Sequence, residues 1–158
     1  MRISSPRLLT IAALAWALGA PGALYAQAQA DAQNFMFNSG QSVQAAMKFY
    51  KIDPVDVIVF HDELDLAPGR VKCKTGGGHA GHNGLRSINQ HCGPDFRRVR
   101  IGIGHPGARE RVHGHVLGNY AKSEMDPLAE MLAGIAAEAE WLAKGDDPRF
   151  MSDLALRQ

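Results

Sequence analysis

The sequence predicts a single domain of the α/β class, in which helices pack on a parallel or mixed sheet. One observation is a continuous apolar run over residues 57–60, which has the length of a strand buried on both faces. A second is the helical spacing of apolar residues on either side of this run, over 43–50 and 128–142. A third is size, since 158 residues with 46% hydrophobic content suffice for one domain with its own core.

The first helix is expected to begin at Asn38, whose side chain caps it together with Gln41 three residues later. Its apolar face is formed by Val43, Ala46, Met47 and Tyr50. The apolar run then predicts a strand, and His61 and Asp62 follow at its carboxyl end. This is the end at which α/β sheets usually place their chemistry.

The middle of the chain predicts two more strands and a short helix. Residues 70–74 alternate like a half-exposed strand, and residues 97–103 are typical of another. A helix is expected between them, over 85–91, with its amino terminus directed back toward the preceding loop.

Two helices are predicted at the carboxyl-terminal end. Ser123 is expected to cap a long helix that stops at Gly145, and Pro148 to open a short terminal one. The long helix is expected to pack its apolar face on the core, with Glu130, Glu138 and Glu140 on its polar face.

Residues 1–34 have the pattern of a leader outside the fold. Arg2 and Arg7 precede an apolar run over 8–20, and Ala26-Gln27-Ala28 is a small-x-small cleavage pattern. The apolar run is too short for a membrane span, so the pattern is that of a secretory signal peptide. The folded domain is therefore predicted over residues 35–158.

The stretch 76–84 contains five glycines and, as its functional side chains, His79, His82 and Asn83. Glycines permit positive φ and leave backbone N–H groups unshielded, so such a loop can form a concavity that binds anions. A surface turn is the alternative. A metal site is disfavoured, because no Cys, Asp or Glu lies in the loop to complete three or four ligands.

Basic residues are concentrated in the same region. The whole chain has a net charge of +1, but residues 70–111 hold nine basic residues and two acidic ones, a net +7 that leaves −6 for the remainder. Such a segment favours a polyanionic partner, and an evenly solvated surface is the alternative. Cys73 and Cys92 do not indicate a disulfide scaffold in a chain of this size.

Three segments together resemble a known family. The blocks 61–66 (HDELDL), 76–85 (GGGHAGHNGL) and 100–107 (RIGIGHPG) are similar, in order and spacing, to signature blocks of bacterial-type peptidyl-tRNA hydrolases, and the similarity extends over residues 35–154. The resemblance implies a three-layer fold, with a mixed, mostly parallel twisted sheet between helices. It also implies that the first strand of the family fold is missing.

The resemblance further implies an activity, the hydrolysis of the ester that joins a peptide to tRNA. It implies a cytoplasmic monomer with tRNA as partner and with no cofactor, no metal and no membrane association. Asp62 then orients a catalytic histidine, and Asn83 contacts the substrate and positions the attacking water. Phe35, Asn38, His82, Arg109 and Arg111 are the further expected tRNA-binding residues.

The sequence departs from the family pattern at its amino-terminal side. It contains neither the G-N-P-G motif nor the T-R-H-N motif whose histidine is the family's general base, and Phe37 stands where the family has asparagine. His79 and His82 are the candidates for a general base that replaces the missing histidine. A truncated or wrongly started reading frame that carries an unrelated leader is one hypothesis, and a genuine export signal on a repurposed domain is another. The corresponding alternative function is an inactive remnant that at most binds RNA.

Overall fold

The computed structural model describes residues 10–12, backbone only, and residues 38–157. Phe35 and Phe37, and all of the expected leader except these three residues, lie outside the described residues. The strands are β1 (Thr10–Ala12), β2 (Ile58–Glu63), β3 (Val71–Thr75) and β4 (Arg97–Gly102). The helices are α1, described over residues 38–50, α2 (Asn83–Cys92), α3 (Arg109–Val116), α4 (Lys122–Lys144) and α5 (Asp147–Ala155), with a 3-10 turn at Pro54–Asp56.

The strands form one sheet in the order β1-β2-β4-β3. Its strands β2 and β4 are parallel: the N–H of Arg97 donates to the carbonyl of Val57 at 2.9 Å, and the N–H of Ile103 donates to that of Glu63 at 3.1 Å. The residue numbers rise together along both strands. The short strand β1, which lies within the expected leader, is the other neighbour of β2.

Strand β3 runs antiparallel to β4. The N–H of Gly76 donates to the carbonyl of Phe96 at 3.0 Å, and that of Gly102 donates to Arg70 at 2.7 Å, so one number rises as the other falls. The sheet is therefore mixed, and the predicted α/β class is confirmed.

Two predicted helix caps are wrong. Asn38 lies inside α1, so it is not the N-cap of that helix. Helix α4 begins at Lys122, one residue before Ser123, and its N-cap is Ala121. Alanine has no side-chain acceptor; instead, the carboxylate of Glu124 accepts the N–H of Ala121 at 2.6 Å.

The chain forms two compact units, which we describe separately. In its described part, the α1–α2 unit comprises residues 10–12, 38–59 and 75–97. Its core consists of Val43, Ile52, Val57, Val59, Leu85, Ile88 and Phe96. The two helices contribute Val43, Leu85 and Ile88, and the predicted apolar run contributes Val57 and Val59. Ile52 and Phe96 lie in the connecting segments.

Helices α1 and α2 touch along a line of close contacts. The N–H of Gly40 donates to Oγ of Ser87 at 3.0 Å, and one turn later Nε2 of Gln44 donates to the carbonyl of His91 at 2.5 Å. Because residue numbers rise together on both helices, α1 and α2 run in the same direction. The first described turn of α1 and the start of α2 therefore lie at the same end of the unit.

The α4–α5 unit comprises, in its described part, residues 60–74 and 98–157. Helix α4 packs on α5 so closely at Gly134 that a Cβ there would lie 2.8 Å from Cδ1 of Leu154. Glu138, expected on the polar face, is buried and accepts hydrogen bonds from Nε1 of Trp141 at 3.1 Å and from Nε of Arg157 at 2.6 Å. These two donors compensate the burial of its charge.

No helix among the described residues has the length and apolar character needed to cross a membrane.

Candidate active site

The glycine-rich loop joins β3 to α2 through left-handed backbone conformations. Positive φ angles occur at Gly76 (69°), Gly77 (101°), Ala80 (45°) and Gly81 (83°). L side chains rarely adopt such angles, so three of these positions require glycine for the path of the chain. The loop is closed by the N–H of His82, which donates to the carbonyl of His79 at 2.7 Å.

Both loop histidines accept hydrogen bonds from the backbone. Nδ1 of His79 accepts from the N–H of Gly81 at 3.2 Å. His82 is the N-cap of α2, and its Nδ1 accepts from the N–H of Leu85 at 3.2 Å. Sequence analysis placed the start of this helix at Leu85, whereas α2 begins two residues earlier at Asn83.

These contacts determine where the histidine protons lie. A backbone N–H can only donate, so Nδ1 of each ring must carry the lone pair. In the neutral ring the proton is then on Nε2, which becomes a donor rather than a base. The geometry therefore favours His79 and His82 as hydrogen-bond donors and disfavours either as the substitute general base.

Asn83, the first residue of α2, is half-buried. Its Oδ1 accepts a hydrogen bond from Nη2 of Arg86. Asn38 is exposed in the first described turn of α1. The neighbouring Ser39 lies close to the start of α2, because a Cβ on Gly84 would be 3.8 Å from its Oγ. The structure thus places Asn38, His82 and Asn83 at one end of the α1–α2 unit.

Asp62 lies in the α4–α5 unit, in the carboxyl-terminal half of β2. It is half-buried, and Nδ1 of the buried His61 donates to its backbone carbonyl at 2.7 Å. Burial raises the pKa of the Tyr120 phenol, and the negative charges of Asp62 and Glu124 raise this pKa further. Tyr120 is therefore a neutral hydroxyl within electrostatic range of Asp62.

The residue after Asp62 forms an ion pair that crosses from β2 to β4. Nε of Arg100 donates to Oε2 of Glu63 at 2.9 Å, and the N–H of Asp65 donates to Oε1 at 3.3 Å. Burial alone would raise the pKa of Glu63, but these hydrogen bonds and the charge of Arg100 outweigh it and lower the pKa below its ordinary value.

Arg109 and Arg111 are exposed in α3, a helix with no buried residue among its eight. Nearby, Nδ1 of His105 accepts from the N–H of Gly107 at 3.0 Å, and Nε2 of His115 donates to the carbonyl of Ile103 at 3.0 Å. Residues 103–107 and α3 thus hold the side chains of Arg109 and Arg111 at the surface, where they can contact phosphates.

Only some basic residues of the predicted basic segment, residues 70–111, are exposed at the surface. Arg98 is buried in β4, where burial lowers its pKa, and Arg100 is paired with Glu63. The exposed basic residues of the segment are Arg70, Lys72, Lys74, Arg86, Arg109 and Arg111.

Among the described residues, no cluster of three or more His, Cys, Asp or Glu side chains is arranged to hold a metal ion. Cys73 and Cys92 are thiols rather than partners in a disulfide. Burial raises the pKa of the Cys92 thiol, which makes it a poor nucleophile.

Comparison with known proteins decides the family. The family model described as peptidyl-tRNA hydrolase matches residues 17–158. The chain belongs to the peptidyl-tRNA hydrolase family. A peptidyl-tRNA hydrolase of Sphingopyxis alaskensis is 72% identical over 123 residues, which are 78% of this chain and 65% of that relative. The one of Zymomonas mobilis is 63% identical over 124 residues, 78% of this chain and 66% of the relative.

The structural comparison agrees. The crystal structure of peptidyl-tRNA hydrolase from Acinetobacter baumannii is 48% identical in sequence and has a TM-score of 0.69, covering 75% of this chain and 61% of that one. The chain thus spans less than two thirds of the length of the relatives it matches. The resemblance of the three sequence blocks to this family is confirmed.

Sequence analysis missed two residues that interact with the candidate residues, one in each unit. Arg86 lies three residues after Asn83, a helical spacing at which side chains meet, so the sequence carried a signal for this contact. Tyr120 is far from Asp62 in sequence, and no local pattern relates them. Of the expected residues, Asn38, His82 and Asn83 lie in one unit, Asp62, Arg109 and Arg111 lie in the other, and Phe35 is outside the described residues.

Proposed function

We propose that the protein carries the substrate-binding part of a hydrolase that cleaves the ester joining a peptide, or an N-blocked amino acid, to tRNA, and that cleavage needs the histidine of the family's T-R-H-N motif, which this sequence lacks. Family membership supports this proposal, and the relatives named above are peptidyl-tRNA hydrolases. Hydrolysis of this ester needs a base to activate water, a group that orients the base, and donors for the developing oxyanion.

The observation that carries the proposal is the position of Asn83. It is the first residue of a helix that follows a glycine-rich loop, and its neighbour His82 fixes that helix start with its ring. An amide at this place is held by the backbone and is half-buried rather than fully solvated. Asn83 is the proposed contact to the substrate and to the attacking water.

The remaining roles follow from the residues present. Asp62 is proposed to orient the catalytic histidine and to stabilise it when protonated, as a carboxylate does beside an imidazole. The neutral phenol of Tyr120 lies within electrostatic range of this carboxylate. The base itself is proposed to be the histidine of the family's T-R-H-N motif, since the described loop histidines present Nε2–H donors.

The proposed partner is tRNA, contacted by Asn38, His82, Arg109 and Arg111, with Phe35 stacking on a base or an apolar side chain. We further propose a monomer that acts in the cytoplasm, where peptidyl-tRNA arises. The histidine protons on Nε2 suit contact with carbonyl or phosphate oxygens.

The test is release of the N-acetylamino acid from N-acetylaminoacyl-tRNA by a grafted form of the protein, in which a family segment with both absent motifs replaces residues 1–34 and Phe37→Asn is introduced. We expect turnover of the blocked substrate, and a rate lowered at least tenfold by Asn83→Ala. The control Gln90→Ala changes an exposed residue of the same helix and should have no effect. Lack of cleavage by the grafted form would reject the proposal.

A further inference from the structure

The guanidinium group of Arg86 forms a hydrogen bond with the side-chain amide of Asn83. Both residues are on α2, three positions apart, and Nη2 of Arg86 donates to Oδ1 of Asn83. Among the hydrogen bonds of the described residues, this is the contact that the Asn83 side chain makes. Arg86 is exposed, so the hydrophobic core does not require it.

The chemistry of the two groups fixes the orientation of the amide. A guanidinium has five N–H donors and no acceptor, so the end of the amide that it contacts must be the oxygen. The two ends of an asparagine amide are otherwise nearly equivalent, and a flip exchanges a donor for an acceptor. Contact with a cation also polarises the amide and strengthens its N–H groups as donors.

We propose that Arg86 is a positioning residue, which holds Asn83 so that Nδ2 rather than Oδ1 meets the substrate. The site then recognises an acceptor, the carbonyl oxygen of the esterified acyl group. This inference rests on the proposed function and deepens it, because it states which end of Asn83 reads the substrate.

The first experiment observes the amide directly. In ¹⁵N-labelled protein, the side-chain NH₂ resonances of Asn83 are identified by their loss in Asn83→Asp. We expect Arg86→Met to shift these resonances, because the amide oxygen loses its cationic partner. The chemical-shift difference between the two NH₂ protons should become smaller. Arg86→Lys, which restores a charged donor, should return them toward the original positions. Lys122→Met removes an exposed positive charge elsewhere and should leave them unchanged.

The second experiment measures recognition without hydrolysis. Affinities are compared for deacylated tRNA and for an N-acetylaminoacyl-tRNA analogue with an amide in place of the ester. We expect Arg86→Met to lower the preference for the acylated form about tenfold, the effect of one lost charge-assisted hydrogen bond. The slope of affinity against salt for deacylated tRNA should not change.

Two results would overturn the inference. Unchanged Asn83 resonances in Arg86→Met would show that the guanidinium does not orient the amide. A salt slope reduced by about one unit, with the preference for the acylated form kept, would make Arg86 a phosphate contact instead. If even the unsubstituted protein shows no preference for the acylated form, the proposed function fails, and the resonances alone then decide whether Arg86 positions Asn83.

Discussion

The backbone N–H of Gly40 donates to Oγ of Ser87 at 3.0 Å, and this contact joins the first described turn of α1 to the second turn of α2. A Cβ at Gly40 would lie 2.1 Å from the carbonyl oxygen of Ser87 and 2.6 Å from Nδ1 of His91. The end of the unit that holds Asn38, His82 and Asn83 thus depends on the absence of a single methyl group.

Gly40→Ala is therefore expected to destabilise the protein. The clash is with backbone, which cannot move aside as a flexible side chain can, so the cost should be about 1–3 kcal/mol or more. Urea unfolding followed by circular dichroism measures it. Gly114→Ala is the matched control: Gly114 is helical and exposed, nothing lies within 4 Å of its added Cβ, and the change should stabilise by about 0.5–1 kcal/mol. Equal effects of both variants would contradict the packing argument.

The ion pair of Glu63 and Arg100 predicts a pH dependence of stability. The folded pKa of Glu63 lies below the ordinary value of 4.5, so its contribution is fully present above that pH and is lost as pH falls through the folded pKa. Glu63→Gln should cost about 1–3 kcal/mol at pH 7 and progressively less below pH 4.5.

Unfolding free energies of the two proteins at several pH values between neutral and acid check this. Glu140→Gln serves as control, since Glu140 and Lys144 form an exposed pair at 3.2 Å that is worth only a few tenths of a kcal/mol. If the difference in unfolding free energy between Glu63→Gln and the unsubstituted protein stays constant with pH, the charge of Glu63 does not contribute to stability.

Local patterns predicted much of this fold. The apolar run, the alternating strand and the helix after the glycine-rich loop each carry their signal within about ten residues, and β2, β3 and α2 are where these signals place them. The predicted cap of α4 failed because Glu124, inside the helix, accepts the backbone N–H of Ala121, so no polar side chain is needed at the N-cap position itself.

Side-chain pairs distant in sequence could not be predicted in this way. Glu138 has a polar side chain, and one of the two donors that compensate its burial, Arg157, is nineteen residues away. Arg100 fitted a phosphate-binding segment by composition, but its partner Glu63 is thirty-seven residues away. Among the candidate residues, the motifs predicted His82 and Asn83, whereas the nearness of Tyr120 to Asp62 within the α4–α5 unit depends on the fold.

Helix α3 predicts the salt dependence of tRNA binding. Arg109 and Arg111 are exposed on a helix that contributes nothing to the core, so Arg109→Ala with Arg111→Ala should leave folding intact. If both contact phosphates, the double variant binds tRNA more weakly, and the slope of log affinity against log salt falls by roughly one to two units. The control is the double variant Lys122→Ala with Lys144→Ala, which also removes two positive charges but at a different place on the surface. A slope equal in both double variants would assign the arginines to a solvated surface.

The position of the protons on the loop histidines predicts what limits catalysis. Because Nδ1 of His79 and of His82 is occupied by a backbone N–H, neither ring has a lone pair on Nε2 in its neutral form. The 158-residue chain should therefore cleave peptidyl-tRNA at or near the uncatalysed rate. Adding the family histidine in the grafted form should raise the rate by about two to four powers of ten, the contribution of a general base.

In the grafted form, Asp62→Asn should lower the rate steeply, because the histidine loses its anionic partner while the packing around it is kept. Cys73→Ser should have little effect, since Cys73 carries no proposed role. The rate is followed by release of labelled peptide, with the fold checked by circular dichroism. Robust hydrolysis by the 158-residue chain that is abolished by His79→Ala or His82→Ala would show that a loop histidine releases its backbone hydrogen bond, moves its proton and acts as the base.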